Sequence, residues 1–177
     1  LGDPLLELEL LARLGRPPSP GASNRLGRDR RAAAASALAR GLSARLGPAA
    51  AADFLRSQDD LDLADPENAD ALAALVDALV ASGKKRDALK RVEAALAKHP
   101  EVAVFHALRG DALAANENDA AAVRAAYQRA HELDPEEHRA LVRLAGLEAK
   151  ANSAETALAL YERATRADAA DRASVRA

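Results

Sequence analysis

The 177-residue sequence contains no cysteine, methionine, isoleucine or tryptophan. The absence of cysteine excludes disulfides, thiolate metal sites and cysteine nucleophiles at once. Aromatic residues make up 2% of the chain and alanine dominates its apolar fraction, so an apolar core is thin per residue. Arginine also far outnumbers lysine. Together with the missing isoleucine and methionine, this bias indicates a GC-rich bacterial genome.

Long apolar runs are absent too. A membrane helix needs about 18 or more consecutive apolar residues, and no segment approaches that length. The most apolar stretch, Leu5–Leu14, is interrupted by three charged residues and does not read as a signal peptide. We therefore expect no membrane span in this chain. Because it begins at Leu1 without an initiator methionine, we expect a fragment or a processed product.

Positive charge is concentrated near the beginning of the chain, which carries a short basic patch of Arg25, Arg28, Arg30 and Arg31. Nucleic-acid binding usually requires a broader basic face with aromatic side chains on which bases stack. Neither feature is present in the sequence. We therefore predict that nucleic acid is not a partner.

What the sequence does contain is a repeat. Pro66, Pro100 and Pro135 lie 34 and 35 residues apart, and a helical pattern recurs between them with the same period. A period of this length is typical of arrays of helix pairs, in which each unit exposes an apolar face that its neighbour covers. The repeat predicts a binding surface without indicating what is bound.

The residues at fixed steps within the repeat can be compared directly. The first unit places, in order, Leu72, Leu75, Val76, Leu79, Gly83, Ala88, Val92, Ala95 and Pro100. The second has Gly110, Leu113, Tyr127, Ala130 and Pro135, and the third has Leu141, Leu144, Ala145, Asn152, Ala157, Tyr161 and Ala164. This pattern resembles the tetratricopeptide repeat (TPR) family.

The match has three irregularities. One extra residue near Asn116 leaves either Ala122 or Val123 at the small position that opens the second helix of the second unit. In the third unit Glu148 stands where a bulky residue is usual, and Ala169 replaces the closing proline. Gly83 and Asn152 suit helix ends at which the backbone turns left-handed.

The resemblance implies an all-α fold, a right-handed α-solenoid of stacked antiparallel helix pairs. Three TPR units are expected at 66–99, 100–134 and 135–168, within a segment 66–177 that ends in the start of a capping helix at Arg172. A degenerate helix pair precedes them at 25–65. Its helices are predicted at Arg31–Leu46 and from Pro48 to about Leu63.

Residues 1–24 are predicted to form a short helix, Leu5–Leu14, followed by a linker rich in proline and glycine. This helix has two interpretations. It caps the first helix pair, or it docks on a different chain or on the groove of a neighbouring copy, giving self-association through Leu5–Leu14.

Catalytic chemistry finds little support in the sequence. The four histidines form two equivalent pairs, His99 with His131 and His106 with His138, and each pair is separated by about one repeat. Repeat geometry places such equivalent positions too far apart to share a metal ion. The serines lack a Ser-His-Asp arrangement, and no phosphate-binding or dinucleotide-binding loop occurs. We predict no catalytic residues, no cofactor and no metal.

In TPR proteins the first helix of each unit lines a concave face that binds peptides. Carrying these positions over gives a candidate peptide groove of Asp70, Ala73, Asp77, Val80, Val104, Ala107, Asp111, Ala114, Arg139, Val142, Gly146 and Ala149. A basic residue of the partner is expected to face Asp77 and Asp111. The alternative is that this face is simply solvated and the contacts lie elsewhere. TPR co-chaperones that clamp a terminal carboxylate use a polar sixth position, which here is Ala74, Leu108 and Arg143, so such a clamp is not expected.

The resemblance favours a non-catalytic scaffold for protein–protein interaction within a larger bacterial assembly, with a protein or peptide as partner. Cell-envelope machinery is the expected setting, and a periplasmic or envelope location is favoured over the cytoplasm. The alternative is the TPR region of a larger enzyme, such as a glycosyltransferase or kinase, whose catalytic domain lies outside this chain. A third hypothesis is a self-assembling array bridged by Leu5–Leu14.

Overall fold

The computed structural model describes residues 10–11, 14, 28–58, 61–116 and 119–174, with side chains described at 10–11, 14, 31–58, 61–116 and 119–167. Every regular element within these residues is helical. A 3₁₀ turn spans Pro66–Asn68. The α-helices are α1 Arg28–Leu46, α2 Pro48–Arg56, α3 Ala69–Ala81, α4 Lys85–Lys98, α5 Ala103–Ala115, α6 Ala120–Leu133, α7 His138–Lys150 and α8 Ala154–Ser174.

The chain divides into two compact units, Leu1–His99 and Pro100–Ala177. In the first unit, α1 packs on α2 and α3, α2 also packs on α3, and α3 pairs with α4. In the second unit, α5 pairs with α6 and α7 pairs with α8, while α7 also packs on α6 and α5. Sequential pairing of this kind is the packing that the repeat predicts.

The second helix of each helix pair from α3 onward buries residues at matching positions. Its fourth, eighth and eleventh residues face the first helix: Ala88, Val92 and Ala95 in α4, and Val123, Tyr127 and Ala130 in α6. In α8, Ala157 and Ala164 are buried at the fourth and eleventh positions, whereas Tyr161 stays 42% exposed. Val123, rather than Ala122, therefore occupies the small position that the sequence left open, because the extra residue falls before α6 begins.

Two turns have the backbone that the sequence predicts. Gly83 follows α3 with a φ of 80°, and Asn152 follows α7 with a φ of 62°. After each of them a backbone N–H reaches back across the turn, from Lys84 to Leu79 O at 2.8 Å and from Ser153 to Glu148 O at 2.9 Å. These bonds satisfy carbonyls that the helix end would otherwise leave unpaired.

The degenerate pair is shorter than predicted. Its second helix, α2, ends at Arg56 and not near Leu63. The side chains of Ser57 and Gln58 both donate to the carbonyl oxygen of Phe54, at 2.7 and 3.1 Å. Side chains that bond the last carbonyls compete with further helical turns, which explains the early end.

The C-terminal end also differs from the prediction. No new helix starts at Arg172, because α8 runs without a break from Ala154 to Ser174. Ala169 stands where the repeat usually closes with proline, so no residue lacks the N–H or blocks the turn that continues the helix.

Most of the segment 1–24 lies outside the described residues, including the greater part of the predicted helix Leu5–Leu14 and the linker after it. Leu10 and Leu14 are described. The N–H of Leu14 bonds Leu10 O at 2.9 Å, which is a helical spacing, and the Leu14 side chain is 61% exposed.

Candidate binding surface of the second unit

The second unit contains a partly buried polar cluster on its candidate groove face. The carboxylate of Asp111, on α5, accepts a hydrogen bond from the Tyr127 hydroxyl at 2.7 Å. It also pairs with Arg139 Nη1 at 2.6 Å and with Arg143 Nε at 2.7 Å, both on α7. We call Asp111, Tyr127, Arg139 and Arg143 the Asp111 cluster. It joins three helices through one carboxylate whose side chain is 9% exposed.

Gly110 makes room for this cluster. A Cβ atom at Gly110 would lie 2.6 Å from Cδ1 of the Tyr127 ring, far inside van der Waals contact. The absence of a side chain therefore lets the ring lie against the α5 backbone. The hydroxyl then reaches the next residue of α5, Asp111.

The protonation of the cluster follows from its burial. Burial raises the pKa of the Tyr127 hydroxyl well above its ordinary value, and the negative charge of Asp111 raises it further. The hydroxyl therefore remains protonated and remains a donor to the carboxylate. A buried hydroxyl without such an acceptor would be costly, so the two residues support each other.

The charge of the cluster is positive, because two guanidinium groups surround one carboxylate. The side chain of Arg139 is 24% exposed and that of Arg143 is 52% exposed, whereas Asp111 is almost enclosed. The charged group most accessible to a ligand here is therefore the guanidinium of Arg143. The expectation of a basic partner residue beside Asp111 is therefore unsupported, since the protein's own arginines already neutralise this carboxylate.

The remaining groove residues of the second unit fall into two groups. Ala107 is fully buried against Ala130 and Ala140, so this groove residue offers no surface to a ligand and the prediction is corrected there. The others keep accessible surface. Val104 and Val142 are half-buried and Gly146 is likewise partly accessible, while Ala114 and Ala149 are exposed.

In the first unit, the predicted groove residues all lie on α3. Asp70 and Asp77 are exposed, and Ala73 and Val80 are half-buried. Asp77 belongs to the first unit and Asp111 to the second, and the predicted stacking of the two aspartates stays a prediction.

The family model of the tetratricopeptide repeat matches residues 73–136 and 124–172, more than half of the chain. The chain belongs to the tetratricopeptide repeat family. The match confirms the predicted all-α TPR fold. TPR membership also supports a role as a protein-interaction scaffold.

Solved structures have the same fold. "Crystal structure of MamA" aligns with a TM-score of 0.52 at 16% identity, covering 85% of this chain and 87% of that one. "MamA 41-end from Desulfovibrio magneticus RS-1" aligns with a TM-score of 0.52 at 20% identity, covering 96% and 97%. At these identities the likeness concerns the fold. No curated protein shows significant sequence similarity to the chain.

Glu148 occupies a repeat position at which a bulky apolar residue is usual, and a salt bridge explains its presence. Its carboxylate, on α7, accepts a hydrogen bond from the Arg124 guanidinium on α6, and both side chains are largely covered. A salt bridge thus joins α6 and α7 at this position, in place of an apolar contact. A polar exception to the repeat is a signal of a specific partner elsewhere in the chain.

Two histidines form hydrogen bonds with backbone carbonyl oxygens. His106 Nε2 lies 2.7 Å from Pro100 O, and His138 Nδ1 lies 3.1 Å from Ala164 O. Among the described residues no group of three or more potential metal ligands comes together. Within the same residues, none of the helices has the length and apolar character needed to span a membrane.

Sequence reasoning placed Asp111 and Arg139 on the groove but missed that they pair, and it did not include Tyr127 or Arg143 in the site. One signal could have found the cluster. A tyrosine at a buried helix position needs an acceptor for its hydroxyl, and Asp111 follows the glycine that faces the ring.

Proposed function

We propose that this TPR protein is a non-catalytic scaffold that binds an acidic segment of a partner protein on the α5–α7 face of its second unit. The observation that carries the proposal is the Asp111 cluster, in which Arg143 is half exposed beside a carboxylate that is almost enclosed. Preorganised guanidinium groups are suited to carboxylates, which they bind in a bidentate geometry.

The surroundings of the arginines fit a peptide. Arg139, Val142 and Arg143 lie three and four residues apart, hence on one face of α7. Val104 and Asp111 lie about two helical turns apart and so share a face of α5. The Asp111 ion pairs bring the two faces together. Half-buried valines beside exposed guanidinium groups would accept apolar side chains flanked by Asp or Glu.

We propose further that the assembly belongs to the cell envelope of a GC-rich bacterium. The arginine bias and the TPR family support this setting. Fractionation of the native host, with detection of the protein, tests it. An exclusively cytoplasmic protein would contradict it.

The binding proposal is tested by affinity capture with the intact chain from its native host, followed by mass spectrometry. Arg143→Gln should reduce retention of the specific partner several-fold, because it removes the more exposed cation while Arg139 still pairs with Asp111. Added salt should weaken the wild-type interaction as well.

Arg166→Gln is the matched control, since Arg166 is an exposed arginine on α8, outside the α5–α7 face. It should leave retention unchanged. If both variants retain the partner like the wild type, or if the retained segment is basic, the proposed site is wrong.

A further inference from the structure

Helix α8 carries an apolar stripe that no other described helix covers. Leu158 and Tyr161 lie three residues apart on it, and they stay 59% and 42% exposed. Thr165, four residues after Tyr161, is also exposed and continues the same side of the helix. Among the helices of the described residues, only α7 packs on α8. Two large apolar side chains on neighbouring turns of one helix face form a surface that a partner helix can cover.

The equivalent side of α6 shows what this position does inside the repeat. Arg124 and Tyr127 are the fifth and eighth residues of α6, as Leu158 and Tyr161 are of α8. The next helix, α7, packs on this side of α6, since Arg124 bonds Glu148 of α7. Tyr127 is accordingly only 3% exposed. The uncovered side of α8 has a leucine in place of the arginine, so it is the more apolar of the two stacking surfaces.

The charges beside the stripe suit a second copy of the same helix. Glu155 and Arg166 are both exposed and lie eleven residues apart, about three helical turns, so they share one flank of the stripe. In an antiparallel pair of identical helices, the same flank of each helix meets. Glu155 precedes Tyr161 by six residues, and Arg166 follows it by five. With a two-fold axis beside Tyr161, the Glu155 carboxylate of each copy therefore lies opposite the Arg166 guanidinium of the other.

We propose that α8 pairs with α8 of a second copy, antiparallel about a two-fold axis. Leu158 and Tyr161 form the centre of the contact, and a Glu155–Arg166 ion pair closes each end. Such a contact is self-complementary, so association stops at a dimer. The stripe lies on α8, and the inference is therefore independent of the binding proposed for the α5–α7 face. An Arg166 variant accordingly alters the dimer and leaves that face unchanged.

The first test is sedimentation equilibrium of the full chain over a range of concentrations, where a monomer–dimer equilibrium is expected. Leu158→Glu should weaken the dimer by about tenfold or more, because it places two carboxylates at the centre of the contact. Leu46→Glu is the matched control, since Leu46 is a comparably exposed leucine at the end of α1. It should leave the dissociation constant unchanged. Circular dichroism of both variants checks that the helices persist.

Charge reversal tests the antiparallel register. Glu155→Arg alone should weaken the dimer several-fold, because the new arginine faces Arg166 of the other copy at both ends. Arg166→Glu alone should do the same with two carboxylates. A mixture of the two single variants should form a heterodimer more tightly than either variant forms a homodimer, since every end then pairs Arg with Glu. Both changes in one chain should restore the affinity of the wild type.

Three results would overturn the proposal. The first is a monomer at every concentration, and the second is a dissociation constant that Leu158→Glu leaves unchanged. The third is a mixture of the two charge variants that associates no better than its components. If Leu14→Glu weakens the dimer as much as Leu158→Glu, the occupant of the stripe is the segment Leu5–Leu14 of a second copy and the α8 pairing is wrong.

Discussion

The first TPR pair of the chain and the next one distribute volume differently at the same step of the repeat. In α3–α4 the step is occupied by Val76 and Val92, both fully buried. In α5–α6 it is occupied by Gly110 and Tyr127, with the ring against the glycine backbone. The comparison shows that the repeat specifies a combined volume between the helices rather than a residue at each position.

The two solutions have different chemical consequences. Two valines require nothing further, and the neighbouring Asp77 of α3 is exposed. A tyrosine brings a hydroxyl into the core, and the neighbouring Asp111 of α5 is drawn in to accept it. The buried carboxylate then holds two arginines of α7. One aromatic residue thus accompanies a positively charged surface at this position, where the first unit exposes the carboxylate of Asp77.

We expect the largest loss of stability when the side-chain volumes at this step no longer fit together. Gly110→Val introduces the bulk of the first unit's valine while Tyr127 remains, and the ring has no room. Overpacking of this kind costs typically about 1–3 kcal/mol, and we expect the upper end, about 3 kcal/mol, because the new Cβ would lie well inside contact distance. Urea denaturation of the full chain measures the effect.

The double variant Gly110→Val with Tyr127→Val recreates the valine pair of the first unit. It should recover a large part of the lost free energy of unfolding, since the bulk is redistributed and no hydroxyl remains to be satisfied. If the double variant is as unstable as the sum of its single changes, the two helix pairs do not use interchangeable packing.

Removing the aspartate of each unit gives the next largest effect. Asp111→Ala leaves the buried Tyr127 hydroxyl without its acceptor and releases both arginines, at a cost of about 2 kcal/mol. Asp77→Ala, at the exposed counterpart, should stay within about 0.5 kcal/mol of the wild type. Urea denaturation of both variants measures their free energies of unfolding relative to the wild type. Equal losses would show that Asp111 is not special.

The sequence predicts those features of the fold that depend on local geometry. The turns at Gly83 and Asn152 were predictable because few residues adopt a left-handed backbone, and their φ values confirm them. The burial of Ala88 and Ala157 was predictable because close helix contact demands small residues at a fixed spacing, and both are buried.

The pairing within the candidate site was not predictable in the same way. Asp77 and Asp111 stand at the same repeat position, so the pattern treats them alike. The state of Asp111 depends on one residue of α6 and two of α7, which lie between 16 and 32 positions away in sequence. Such a contact becomes visible only once the helices are packed. The early end of α2 has a similar origin, since it follows from individual side-chain bonds and not from periodicity.

The smallest expected effect is a pH dependence of stability. It compares an exposed and a more covered carboxylate at two helix starts. Asp119 caps α6 from an exposed position, accepting the N–H of Ala121 at 3.0 Å. Glu137 caps α7 from a more covered position, accepting the N–H of Ala140. Burial raises the pKa of Glu137 above its usual value, and this outweighs the hydrogen bond from Ala140, which lowers it.

The raised pKa makes stability depend on pH in a defined direction. Below the unfolded-state pKa of about 4.3, Glu137 is protonated in both states and its contribution is fully present. As pH rises through the raised pKa of the folded state, the unfolded chain has already released its proton and the folded state loses stability. Glu137→Gln removes the titration but keeps an oxygen that accepts the Ala140 N–H. Its free energy of unfolding, measured from about pH 4 to about pH 7, should therefore improve relative to the wild type as pH rises. Asp119→Asn is the control for losing a capping carboxylate at an exposed helix start. Should the two variants change the pH profile equally, burial of Glu137 is not what sets its titration, and the distinction between the two caps fails.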